Sequence, residues 1–127
     1  MTFTLDHIHL RSADPDMAAG FYVQKMGATE ISRTSSGKML RVVVELGGLT
    51  LFIETIKGGE GNLPAPRTLG LEHIGLCVPD LNEAAARLKA EGVEFVVEPK
   101  EVRPGVSMAF IQGPDGVQIE LIERSPV

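Results

Sequence analysis

A chain of 127 residues, 43% hydrophobic and 23% charged, has the size and balance of one globular domain and not of a disordered segment. A formal net charge of −5 with no cluster of Lys and Arg argues against nucleic acid as a partner. No window approaches the ~18 consecutive apolar residues of a membrane helix, and the start shows no secretory signal, so no membrane partner is expected and the expected setting is cytoplasmic.

Residues 3–11 interleave Phe3, Leu5, Ile8 and Leu10 with Thr and His, the alternation of a half-buried strand. Asp14-Pro15 is a helix cap with proline at the first helical position, and "DMAAGFYVQKM" continues the helix to about Gly27. Strands near 28–34, 39–46 and 49–56 follow, separated by "SSGK" and "GG" turns. "KGGEGNLPAPRTLG" (57–70) reads as a linker. The second half repeats the order. A strand at 70–78 leads to Asp80 as cap and a helix that Gly92 stops, and strands come near 94–97, 106–112 and 117–123, the last after the turn "GPDG". Cys77, the only cysteine, excludes an intrachain disulfide, and its apolar run reads as the setting of a packed thiol.

The two halves are copies. Laying 5–22 on 71–88 gives seven identities in eighteen positions, where chance gives about one. The same offset of 66 lays "GGLTLFIETI" on "GPDGVQIELI", so that Ile53, Glu54 and Ile56 meet Ile119, Glu120 and Ile122. Each copy is βαβββ. His7 coincides with His73, and Glu54 with Glu120. Alternation puts His7, His9 and Arg11 on one strand face, and Phe52, Glu54 and Ile56 on one face of another. A carboxylate between apolar strand neighbours requires a partner. Two His and two Glu, brought together by pairing the copies, make an N₂O₂ set for one divalent ion, and they suit Zn²⁺, Ni²⁺ or Co²⁺, with Mn²⁺ and Fe²⁺ also allowed. His9 shares the face of His7 where the second copy has Gly75, which makes it a candidate substrate contact or auxiliary acid/base.

Carried on "LDHIHLRSAD", "LEHIGLCVPD" and "GPDGVQIELIE", the chain resembles the vicinal oxygen chelate superfamily, which includes glyoxalase I, extradiol dioxygenases, and fosfomycin- and bleomycin-resistance proteins. The resemblance implies one α+β domain over 1–127. Its module 1 spans 1–57, its linker 58–69 and its module 2 70–127, and a curled mixed sheet forms a cup with the helices outside. It places the metal ligands at His7, Glu54, His73 and Glu120, implies a homodimer, and matches Arg11 to an arginine that binds glutathione. The four-ligand pattern is most similar to glyoxalase I, although "ETIKGG" lacks the Tyr-Asn that often follows the ligand Glu in that branch.

With four protein ligands on an octahedral ion, two positions stay open to neighbouring oxygens of a small-molecule substrate. Glu120 or Glu54 is then the general base of an isomerisation or epimerisation through an enediolate. Two alternatives remain. An Fe(II) ring-cleaving dioxygenase would leave Glu54 a bystander, and a metal-free drug-binding resistance protein would need an aromatic groove from a chain with five Phe, one Tyr and no Trp.

Overall fold

A computed structural model describes residues 2, 5–56 and 71–126. Phe3 and the linker expected at 58–69 lie outside the described residues. The chain divides into two compact units, Met1–Leu63 and Pro64–Val127.

In the first unit β1 (Ile8–Ser12) leads into α1 (Pro15–Met26), followed by β2 (Thr29–Ser36), β3 (Met39–Leu46) and β4 (Leu49–Thr55). The strand order is β1-β4-β3-β2, with β1 parallel to β4 and the other pairings antiparallel. Asp14 starts α1, its side chain accepting the Met17 N–H at 3.1 Å, and Gly27 ends it in the left-handed conformation with φ 75°. Gly47 and Gly48 both take positive φ, which lets a two-residue turn join β3 to β4 in tight register. Ala18, Ala19 and Tyr22 of α1 bury against Val42, Val44, Leu51 and Ile53 on one face of the sheet.

The second unit repeats the order with β5 (Ile74–Cys77), α2 (Leu81–Ala90), β6 (Phe95–Arg103), β7 (Val106–Gln112) and β8 (Gln118–Arg124). Its strand order is β5-β8-β7-β6, with β5 parallel to β8. Asp80 accepts the Glu83 N–H at 3.0 Å, and Glu123 from β8 accepts the first N–H of that turn, that of Leu81, at 2.6 Å. Leu81, Ala85 and Leu88 cover Ala109, Ile111, Ile119 and Leu121. The α+β class and the twofold βαβββ order are as the sequence leads one to expect.

Two expectations are corrected. β6 runs to Arg103, not 97, although Pro99 lies within it. Among the described residues β6 is an edge strand with one side unpaired, and its register with β7 shifts between Val97 and Lys100, so the missing N–H of Pro99 interrupts little. Cys77 is exposed, not packed, because alternation along β5 sends Ile74 and Leu76 toward the helix and Gly75 and Cys77 to the opposite face.

Candidate functional site

On β1 the more buried positions are Ile8, Leu10 and Ser12, which leaves His9 and Arg11 on the face away from α1. On β4, Leu51 and Ile53 are buried under α1, and Phe52 and Glu54 take the same outer face as His9. β8 does likewise with Ile119 and Leu121 buried and Glu120 opposite. The face assignments read from alternation hold, and the two carboxylates sit between apolar neighbours without belonging to the core. Glu54 and Glu120 keep 24% and 21% of their side-chain surface, so each is half-buried and each has ionic partners.

In the second unit His73 Nε2 lies 3.4 Å from Glu120 Oε1, and its Nδ1 lies 2.9 Å from Glu72 Oε1. A carboxylate on Nδ1 fixes the tautomer that presents Nε2 to the site. The ring of Phe110 meets His73 edge-on at 5.1 Å between centroids. Among the described residues His73 is the only ionic partner of Glu120. Gly75 stands directly opposite Glu120 in the β5–β8 pairing, and a Cβ there would lie 3.4 Å from Oε1. The glycine leaves the carboxylate room that a side chain would take.

In the first unit Glu54 is engaged by two residues. His9 Nε2 lies 3.2 Å from Oε1, and Arg41 pairs with Oε2 at 3.1 Å. The structure thus brings His9 and Glu54 together and adds Arg41, whose guanidinium also lies over Phe52 at 5.1 Å. His7 is elsewhere. Its ring stacks flat on Phe52 at 3.9 Å with an interplanar angle of 5°, and its Nδ1 lies 2.6 Å from Asp6 Oδ2. Among the described residues no ion pair joins His7 to Glu54. Arg11 pairs in register with Glu54 across β1–β4, as Arg41 does across β3–β4, so Glu54 is flanked by an arginine position on each side. Glu54 and Arg41, with Thr34, Ser36 and Met39, line a recess of about 150 Å³, below the ~300 Å³ of a typical small-molecule pocket.

Arg41 is the site residue that sequence reasoning missed. The signal was present. A two-residue Gly47-Gly48 turn sets Leu46 opposite Leu49, and counting back sets Arg41 opposite Glu54.

In both units an imidazole Nε2 and a carboxylate Oε1 stand 3.2 to 3.4 Å apart. Two donor atoms about 2.1 Å from a shared divalent ion, roughly at right angles, are about 3 Å apart, so the donor type and spacing fit such an ion.

A βαβββ unit occurring twice, each time with a His–Glu pair on the sheet face away from the helix, defines a class of small duplicated α+β proteins. The model of the glyoxalase/bleomycin resistance protein/dioxygenase superfamily matches residues 4–121, and the chain belongs to that superfamily. Over 125 residues, covering 93% of this chain and 88% of the relative, it is 29% identical to a Vibrio cholerae protein named "Probable lactoylglutathione lyase". A 58-residue stretch, 45% of this chain, is 40% identical to the Arabidopsis thaliana "Probable lactoylglutathione lyase, chloroplastic", of whose length it spans only 17%. Among solved structures, a glyoxylase/bleomycin resistance protein/dioxygenase domain from Frankia sp. EAN1pec superposes with a TM-score of 0.81 at 21% identity, covering 98% of this chain and 99% of that one. No helix among the described residues is long and apolar enough to cross a membrane.

Proposed function

We propose that the protein is a divalent-metal-dependent enzyme of the lactoylglutathione lyase type, isomerising a small carbonyl adduct by moving a proton between adjacent carbons. The observation that carries this reading is the imidazole–carboxylate pair present once in each unit, His9 with Glu54 and His73 with Glu120. The name of the Vibrio cholerae relative, matched over most of both chains, supports it. In this reading the protein ligands of the ion are His7, Glu54, His73 and Glu120, two nitrogens and two oxygens. When bound, the ion (Ni²⁺, Zn²⁺ or Co²⁺ before Mn²⁺ or Fe²⁺) supplies Lewis acidity toward two neighbouring substrate oxygens.

The residues then divide the work. Arg41 holds Oε2 of Glu54, so Glu54 is the fixed carboxylate. Glu120 has one ionic neighbour among the described residues and is the carboxylate free to turn toward substrate, accept a proton from carbon and return it to the next carbon. Arg11, exposed on the same face, is placed to meet an anionic group of a glutathione adduct. We place the enzyme in the cytoplasm as a homodimer with one domain over 1–127, modules at 1–57 and 70–127, and a linker at 58–69.

Glu120→Gln tests the assignment, because the amide still offers an oxygen but accepts no proton. Turnover falls at least about 100-fold while bound metal, measured by elemental analysis, stays near that of the parent protein. Equal loss of metal and activity would make Glu120 a ligand only.

The grip of Arg41 on Glu54 favours one second reading. If the salt bridge keeps Glu54 from the ion, the remaining two imidazoles and Glu120 form the three-ligand set of an Fe(II) ring-cleaving dioxygenase. Oxygen uptake stoichiometric with turnover identifies that case.

A further inference from the structure

The two glutamates hold the same place in two rows that otherwise differ. Register across the first sheet lines up Thr34, Arg41, Glu54 and Arg11, one residue from each strand. Register across the second lines up Val97, Phe110, Glu120 and Gly75. Paired residues share a sheet face, so each row lies on the outer face with its glutamate. The second row brings its carboxylate no cation. The first sets two guanidinium groups against one carboxylate, in a chain whose formal net charge is −5.

Arg41 also keeps donors in reserve. It gives Nε and Nη2 to Oε2 of Glu54, which leaves the two N–H groups of Nη1 uncommitted among the described residues. That carboxylate and the ring of Phe52, 5.1 Å away, hold the guanidinium in place. Thr34 and, two residues on, Ser36 lie on the same face of β2. Neither hydroxyl has a hydrogen-bond partner among the described residues. These three residues, with Met39 and Glu54, line the recess beside Glu54. Its volume of about 150 Å³, against the ~30 Å³ share of one water molecule, has room for a carboxylate and its adjoining carbons. Met39 gives those carbons an apolar wall.

We propose that this recess is a carboxylate-binding subsite, in which Nη1 of Arg41 and the hydroxyls of Thr34 and Ser36 hold an anionic group of the substrate next to Glu54. The donor count matches, two N–H and two O–H groups for the roughly four lone-pair positions of a carboxylate. A phosphate monoester brings three acceptor oxygens and a charge of about −1.5 to −2, more than these donors satisfy. The substrate is then an oxo compound that carries a carboxylate of its own. In taking the anion to be part of a substrate, the proposal rests on the enzyme reading above, whereas the subsite lies wholly within the first unit.

NMR titration of the isotope-labelled full chain with acetate, without added metal and at constant ionic strength, tests the subsite. Acetate is expected to move the Arg41 side-chain signal and the Thr34 and Ser36 amides, with a millimolar Kd, and neutral acetamide to leave them in place. Thr34→Val with Ser36→Ala weakens acetate binding about tenfold, and Arg41→Met abolishes it. The same spectra report that each variant is folded. Equal responses to acetate and acetamide, tighter binding of inorganic phosphate, or acetate binding that survives in Arg41→Met overturns the subsite. A loss in Arg11→Ala alone places the anion on the other side of Glu54 and overturns it too.

The metal-loaded chain is then given glutathione adducts of an α-oxoaldehyde ending in a carboxylate and of its neutral methyl ester. The acid is expected to show a kcat/KM at least about tenfold above that of the ester, a preference that the Thr34→Val, Ser36→Ala double variant loses. Equal kcat/KM for acid and ester overturns the role of the subsite in substrate binding. No turnover of either, with acetate still bound by the chain without metal, strikes the enzyme reading and leaves the subsite standing.

Discussion

Arg41 directs both Nε and Nη2 to one oxygen of Glu54, Oε2, at 3.1 Å each, and leaves Oε1 turned toward His9. A guanidinium on one oxygen sets which oxygen the carboxylate offers, as supporting partners do for ligands. Arg41→Ala is therefore expected to weaken divalent-metal binding about 10- to 100-fold, measured by calorimetric titration. Thermal stability changes little, since Arg41 is 40% exposed and exposed ion pairs add about 0 to 1 kcal/mol. Tighter metal binding in Arg41→Ala would show that the guanidinium competes with the ion.

Gly75 fills the same register slot opposite Glu120 that Arg11 fills opposite Glu54. Alanine fits there, because its Cβ reaches only ordinary contact at 3.4 Å from Oε1. Gly75→Leu does not, and it turns the carboxylate away from His73. Metal affinity is expected to drop about 10-fold or more in Gly75→Leu and to hold in Gly75→Ala, with both variants folded by circular dichroism.

Gly113 is a packing prediction. A Cβ there would lie 2.8 Å from Ile119 Cδ1 and 2.9 Å from the backbone oxygen of Val117, and the Gly113 N–H also donates to that oxygen at 2.8 Å. The side chain can shift but the carbonyl cannot. Gly113→Ala is expected to cost about 1–3 kcal/mol in urea unfolding, the scale of overpacking a tight site. An unchanged midpoint would contradict the turn geometry.

The two helix caps give a paired prediction. Asp14→Ala and Asp80→Ala each remove a bond to the third helical N–H, at a cost of about 0.5–2 kcal/mol. The two losses are expected to be similar, because neither variant leaves the first helical position with an unpaired N–H: Glu123 accepts that of Leu81, and Pro15 has none. Urea midpoints of the two variants measure both.

What the sequence made legible was local. Asp14-Pro15 and Gly27 bracketed α1, the alternation in "LTLFIET" put Glu54 on the outer face, and the coincidence of Glu54 with Glu120 pointed to paired carboxylates. What it hid was register, which loop lengths set. The single offset of 66 holds at the helix caps and at Glu54 and Glu120. It fails on the third strand of each unit, where Arg41 corresponds to Phe110, 69 residues on, because the β7–β8 connection is three residues longer than the Gly47-Gly48 turn. It fails again at β1, where a slip of two residues preserves every face and so leaves no trace in the hydrophobic pattern. The length of β6 was hidden by Pro99, which reads as a strand end unless the strand is known to lie at an edge.

The central claim is proton transfer aided by a divalent ion without oxygen, and an anaerobic assay in D₂O tests it most directly. The Ni²⁺-, Co²⁺- or Zn²⁺-loaded protein is given the hemithioacetal of glutathione and methylglyoxal, and the product is read by NMR and mass spectrometry. The expected result is turnover without oxygen, lost on chelation, restored by a redox-inert ion, and accompanied by deuterium on the product carbon that receives the proton. Activity that appears only with Fe²⁺ and consumes oxygen, or no turnover with any of the three ions, would contradict it.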